Sequence, residues 1–275
     1  ICDTQTLEHV FRQSKIDAVM HMAAETTVEY SLTDPRRYFR NNVIGGMNLL
    51  DTMVRYGVYK LIFSSSAAVY GEPENSPIEE EHPKAPINSY GESKLMFERI
   101  LSWYGKAYAL KHISLRYFNA AGASKCFGED HRPETHLIPN VLKAALYQDK
   151  PVPVFGIDYP TKDGACVRDY IHVIDVAQAH LLALEKLDSL NGGVYNLGNG
   201  QGYSVLEVID TAKKVTAIVM PVSICPRRTG DPAVLLAGSD LAKKELGWKP
   251  EFPELESIIE SAWNWLREFP NGYEQ

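Results

Sequence analysis

The chain has 275 residues, 45% of them hydrophobic and 23% charged, with a formal net charge of -7. This is ordinary globular composition, enough for one large domain or two small ones. It argues against a nucleic-acid partner, because no basic block supplies a clustered cationic face, and against a membrane span, because no apolar run approaches about 18–20 residues. Cys2, Cys126, Cys166 and Cys225 show no CxxC or metal-ligand spacing, so the reading is reduced thiols, no metal and a cytoplasmic location. The opening ICDTQTL has no initiator Met and starts as though inside an element, which sets the expectation of a fragment.

In chain order, DAVMHMAA (17–24) reads as a short strand buried on both faces. Residues 33–57 predict a long helix, with Asp34 as N-cap, Pro35 in the first turn and Gly57 as terminator. YKLIFSSS (59–66) is the next strand, followed by a loop carrying Pro73, Pro77, Pro83 and Pro86. A second long helix is expected from about Ser89 to Tyr108, then strands at HISLRYF (112–118) and GGVYNLG (192–198). The stretches 119–169 and 199–275 are less regular and rich in Pro, Gly and Arg. The alternation predicts an α/β fold, a Rossmann-like doubly wound parallel sheet with a smaller interleaved domain.

NSYGESK (88–94) places a phenol at Tyr90 and an ammonium at Lys94 four positions apart. Chance competes, because the chain holds 15 tyrosines and YGVYK (56–60) is a second match. The predicted elements separate the two. Gly57 ends a helix and Lys60 begins a strand, whereas Tyr90 and Lys94 share the first turns of one helix, where i and i+4 side chains are neighbours. A phenol with a pKa near 10 becomes a base at neutral pH only if a nearby positive charge favours phenolate, and Lys94 is expected to do this. Ser66, in FSSSAAVYG, sits at a strand exit, the end at which open parallel sheets bind ligands.

HMAAETTVEYS, NNVIGGMNLL, FSSSAAVYG, YGESK, LRYFNAAGA, ETHLIPNVL, DGACVRDYIHVIDVA, YNLGNG and PRRTGDPA, in this order, resemble the extended short-chain dehydrogenase/reductase family, and among its members those that epimerise nucleotide sugars. The resemblance implies NAD-dependent interconversion of UDP-galactose and UDP-glucose through a 4-keto sugar. By the same resemblance Tyr90 takes the proton from the sugar 4-hydroxyl as hydride moves to NAD. Ser66 hydrogen-bonds the same oxygen, and Lys94 holds the nicotinamide ribose and lowers the Tyr90 pKa. Cofactor contacts fall on Met22, Ala23, Ala24, Glu25, Thr26, Asn41 and Phe118. Nucleotide-sugar contacts fall on Asn119 and His136, on Arg168 and Arg228 for the pyrophosphate, and on Asp231 for the uridine ribose. Leu235 faces the sugar 2-substituent. The domains implied are an NAD-binding core at 1–118 and 170–198, and a nucleotide-sugar domain at 119–169 and 199–275. Ser66 is followed by Ala67 and Ala68, without the acidic residue that related dehydratases and decarboxylases place there, so epimerisation is favoured.

No GxGxxG or GxxGxxG phosphate-binding turn occurs in the sequence. By resemblance the missing part is two βα units and a strand, so a chain of these residues is expected to bind NAD poorly, with 17–24 as an unprotected edge. A non-catalytic nucleotide-sugar-binding form and an epimerase for N-acetylated or other nucleotide sugars stay open. So does a homodimer through the two long helices, whose apolar faces could equally be spent on the sheet.

Overall fold

The computed structural model describes residues 1–228 and 231–273. Helix α1, Thr4–Gln13, is capped by the Asp3 carboxylate, which accepts from the backbone N–H groups of Gln5 and Thr6. Strand β1, Val19–His21, leads to the short helix α2, Val28–Ser31, and then to α3, Pro35–Tyr38, with Asp34 as its cap. A π-helical turn, Phe39–Gly45, carries α3 on into α4, Gly46–Arg55. This run stops at Gly57, whose φ of +72° is easy only for glycine. Next come β2, Lys60–Ser66, α5, Ser89–Tyr108, β3, Lys111–Tyr117, and β4, Asn119–Ala121.

Beyond β4 the chain is more regular than its Pro and Gly content suggested. It forms α6, Leu137–Tyr147, β5, Val152–Phe155, β6, Val167–His172, α7, Val173–Leu190, and β7, Gly193–Leu197. The remaining elements are β8, Gly202–Ser204, α8, Val205–Thr216, β9, Val222–Cys225, β10, Val234–Leu235, and α9, Leu255–Glu268. Pro139 disguised α6 in the sequence, yet it sits in the first turn, where a missing N–H costs nothing.

Two compact units result. One comprises Ile1–Pro73, Glu80–Tyr117 and Ala179–Asn196, and the other Glu74–Glu79, Phe118–Gln178 and Leu197–Gln275. In the first unit the strands run in the order β1-β2-β3-β7. β2 is parallel to β1, with Val19 opposite Leu61, and to β3, with Ser66 opposite Tyr117. The middle five residues of β2 are buried, as a strand covered on both faces requires. Leu50, Met53, Leu61, Phe63, Phe97 and Leu101 form the centre of its core. A Cβ on Gly46 would stand 2.4 Å from the Phe97 ring, so glycine lets α4 approach α5 closely.

The second unit has its own sheet, in which β6 is flanked by β10 and β4 and also pairs with β8. Its core is built by α6, α8 and α9 around Val141, Ile209, Ile258 and Trp263. Among the described residues no helix is long and apolar enough to cross a membrane.

Candidate functional site

In the first unit the chemistry gathers where β2 ends and α5 begins. Asn88 caps α5 by accepting from the Gly91 N–H at 2.8 Å. Gly91 lets that first turn lie against the chain leaving β2, since a Cβ there would stand 2.4 Å from the Ala68 carbonyl oxygen. The approach sets the Tyr90 hydroxyl beside Ser66, whose Oγ accepts from Ala68 N at 3.1 Å. One turn on, Lys94 Nζ donates to the Ser64 carbonyl oxygen at 2.8 Å and lies 4.9 Å from the Phe63 ring centroid and 5.8 Å from that of Tyr90. Tyr90 is 8% exposed and Lys94 3%. The rival pair fails as its elements predicted, with Tyr56 at the end of α4 and Lys60 at the start of β2.

The electrostatics correct one expectation. Burial pushes the Tyr90 phenol well above its ordinary range, Tyr117 and Tyr38 add to the rise, and only the neighbouring Ser66 opposes it. Lys94 does not lower it, because burial acts on Lys94 too and brings the ammonium down to about 7, with Glu98 resisting. Two groups in one low-dielectric place both lean towards neutrality. His21, between Phe63 and Phe97, is brought down to about 4, by burial first and Lys94 second, and is a neutral core ring.

Met22, Ala23 and Thr26 are exposed and Ala24 and Glu25 half-buried, in the loop that leaves β1. Asn42, which sequence reasoning passed over, holds this loop. Its Oδ1 accepts from Glu25 N at 2.8 Å, and its Nδ2 donates to Glu25 O at 3.0 Å and to Ser93 Oγ at 2.9 Å, tying the loop to α5. Asn41 is half-buried, its Nδ2 on Asn42 Oδ1 at 3.0 Å. Two other groups were missed. Tyr117, the last residue of β3, adds a second, half-buried phenol near Tyr90. Glu98 and Arg116 form a buried ion pair at 2.5 Å. Only the position of Tyr117, just ahead of the Phe118 and Asn119 already singled out, signalled either.

In the second unit Arg168 and Leu235 face each other across the β6–β10 register. The Arg168 guanidinium is ion-paired with Asp231 and donates to Val167 O at 2.7 Å. Arg228 stacks its guanidinium 3.9 Å from the Phe155 ring centroid. Thr229 and Gly230 of the PRRTGDPA block lie outside the described residues. Asn119 Nδ2 donates to Asp169 O at 3.0 Å, and Phe118 N to Leu197 O at 3.2 Å. His136 is no core histidine. It is exposed, with Nδ1 2.5 Å from Glu129 Oε1 and 3.2 Å from Glu134 Oε1. These carboxylates raise it to about 10.

A model of the NAD dependent epimerase/dehydratase family matches residues 1–198. The UDP-glucose 4-epimerase of Halalkalibacterium halodurans is 51% identical over 99% of this chain and 83% of its own length. That of Lacticaseibacillus casei is 48% identical over 99% and 83%. A crystal structure of a UDP-glucose 4-epimerase superposes with a TM-score of 0.97 at 49% identity, over 100% of this chain and 84% of that one. The Bifidobacterium longum enzyme, solved in complex with NAD+ and UDP, gives 0.94 at 42% identity over 99% and 82%. The chain therefore belongs to the NAD dependent epimerase/dehydratase family.

Proposed function

We propose that this chain interconverts UDP-galactose and UDP-glucose by oxidising and re-reducing C4 of the sugar, with NAD as a bound hydride carrier. The observation that carries the reading is the buried Tyr90 phenol set beside Ser66 and Lys94 at the carboxyl end of β2, in a member of this family. Tyr90 takes the proton of the 4-hydroxyl, and Ser66 hydrogen-bonds the same oxygen and relays the proton. The phenol of the chain by itself is neutral, so its basicity depends on positive charge brought by the ligand.

The residues present fit the nicotinamide-ribose end of NAD. The Lys94 ammonium has three N–H donors and one hydrogen-bond acceptor among the described residues, the Ser64 carbonyl oxygen. Two buried donors thus suit the hydroxyls of a ribose. Met22 to Thr26, Asn41 and Phe118 complete the cofactor contacts we assign, and a bound nicotinamide supplies a reversible acceptor for the C4 hydride. We assign the first unit to NAD and the second to the nucleotide sugar. In the second unit Arg168 and Arg228 serve the pyrophosphate, Asp231 the ribose, Asn119 and His136 the sugar nucleotide, and Leu235 the 2-substituent. The Arg168–Asp231 pair supports this, since each partner is half of a charge-assisted contact that a diphosphate and a diol can replace. Homodimerisation, with Ile44, Trp103 and Tyr108 exposed on the π-helical turn and α5, and a cytoplasmic location belong to the same proposal.

The test is incubation of the chain with NAD and UDP-galactose, with chromatography of the products. UDP-glucose is expected, and Tyr90→Phe should lower its rate by about 10²–10⁴-fold, the usual worth of a general base. Undiminished turnover in Tyr90→Phe, or binding without conversion, overturns the reading.

A further inference from the structure

Glu129, His131, Glu134 and His136 lie on the irregular segment between β4 and α6. They bring two imidazole nitrogens and two carboxylate oxygens within 4.8 Å of one another. Glu129 Oε1 stands 3.0 Å from His131 Nδ1 and 2.5 Å from His136 Nδ1, so both rings turn the same nitrogen to one oxygen. The ring centroids are 5.0 Å apart. Glu134 is the buried member, its side chain 5% exposed, with Oε1 3.2 Å from His136 Nδ1. That oxygen also accepts from Thr135 N at 2.8 Å and His136 N at 2.9 Å. Its other oxygen, Oε2, is buried with no hydrogen-bond partner; the Lys143 ammonium, at 3.9 Å, is beyond hydrogen-bond reach. A buried carboxylate oxygen left without a donor is costly and asks for a cause.

We propose that Glu129, His131, Glu134 and His136 form a binding site for one divalent cation of the zinc class. Two imidazole nitrogens and two carboxylate oxygens are the borderline donor set that zinc takes in four-coordinate sites, whereas magnesium and calcium ask for six or more oxygens. With bonds of about 2.0–2.2 Å, the ligand atoms of a tetrahedral site stand roughly 3.3–3.6 Å apart. Contacts of 3.0 Å and 3.2 Å are near that spacing, and the 2.5 Å pair of His136 Nδ1 and Glu129 Oε1 has to open by about 1 Å to reach it. The wider pairs, up to 4.8 Å, close by rotation of His131 and His136, whose side chains are 47% and 48% exposed.

A metal-free ion pair accounts for His136 between two carboxylates. It leaves unexplained why His131 turns to the same oxygen and why Glu134 Oε2, with Lys143 Nζ at 3.9 Å, is buried without a hydrogen-bond donor. The site lies outside the proposed hydride chemistry and does not depend on it. A cation on His136 Nδ1 leaves Nε2–H free to donate, so it would hold that ring in one tautomer and orientation.

The intact chain carrying Cys2→Ser and Cys126→Ser, which remove the two exposed thiols, is stripped with chelator. It is then titrated with Zn2+ by calorimetry and with Co2+ by visible absorption. One equivalent is expected, with the intense d–d bands of four-coordinate cobalt. His131→Ala or Glu129→Gln should weaken binding at least tenfold with unchanged far-UV circular dichroism. His131→Gln, at an exposed position, serves if either variant fails to fold. The absence of stoichiometric binding, or equal binding in the folded variants, overturns the proposal.

Discussion

Lys94→Met isolates the cost of burying the ammonium beside Tyr90. The unfolded chain holds this proton up to the ordinary value of 10.5, while the folded chain releases it near 7. Between those limits the unfolded state binds more protons, so the stability of the parent chain rises with pH, by about 1.4 kcal/mol per unit once the folded group is mostly neutral. From pH 7 to pH 9 the integrated gain is about 2 kcal/mol, because at pH 7 the folded lysine is half titrated and the slope begins at half its full value. Methionine matches the length and has no proton to lose. The difference in unfolding free energy between parent and Lys94→Met should therefore shift by about 2 kcal/mol in favour of the parent over this interval. Urea unfolding at both pH values, read from midpoints at constant m, measures it. His21, held near 4, does not titrate in this window. A difference that is the same at pH 7 and pH 9 would mean that folded Lys94 keeps an ordinary ammonium, and would refute the argument.

Gly91→Ala places a Cβ 2.4 Å from the Ala68 carbonyl oxygen; it should cost about 1–3 kcal/mol in thermal or urea unfolding and lower turnover by moving Tyr90 off Ser66. Arg116→Met leaves Glu98, 8% exposed in its side chain, as an unpaired buried charge. A loss of about 3–5 kcal/mol is expected, and Glu98→Leu added to it should restore most of the stability; no recovery in the double variant would refute the pairing account. Arg168→Ala should weaken UDP binding by calorimetry more than Asp231→Asn does, with KM raised and kcat little changed, since neither touches the reacting carbon.

Much of the fold was legible because local rules agreed with it. The helix expected from about Ser89 to Tyr108 is α5. Asp34, Pro35 and Gly57 bracketed the helical run ahead of β2, although its π-helical turn at Phe39–Gly45 follows from packing and carries no simple sequence signature. The helices α6, α8 and α9 were passed over because Pro139 and the scattered glycines read as loop, whereas burial of one face against the others overrode those breakers. Helix α1 was missed although Asp3 is a good cap, since ten residues with one buried side chain, Phe11, make a weak pattern.

The sequence by itself determined the α/β class, the separation of YGESK from YGVYK, and the blocks that carry the family resemblance, because these depend on order and spacing along the chain. Tertiary structure alone decided what those residues are electrically. Asn42 reaching the Glu25 loop, Arg168 choosing Asp231, and the burial that lowers Lys94 and raises Tyr90 all join residues distant in the chain. Ionisation depends on the dielectric and the partners around a group, and those exist only once the chain has folded.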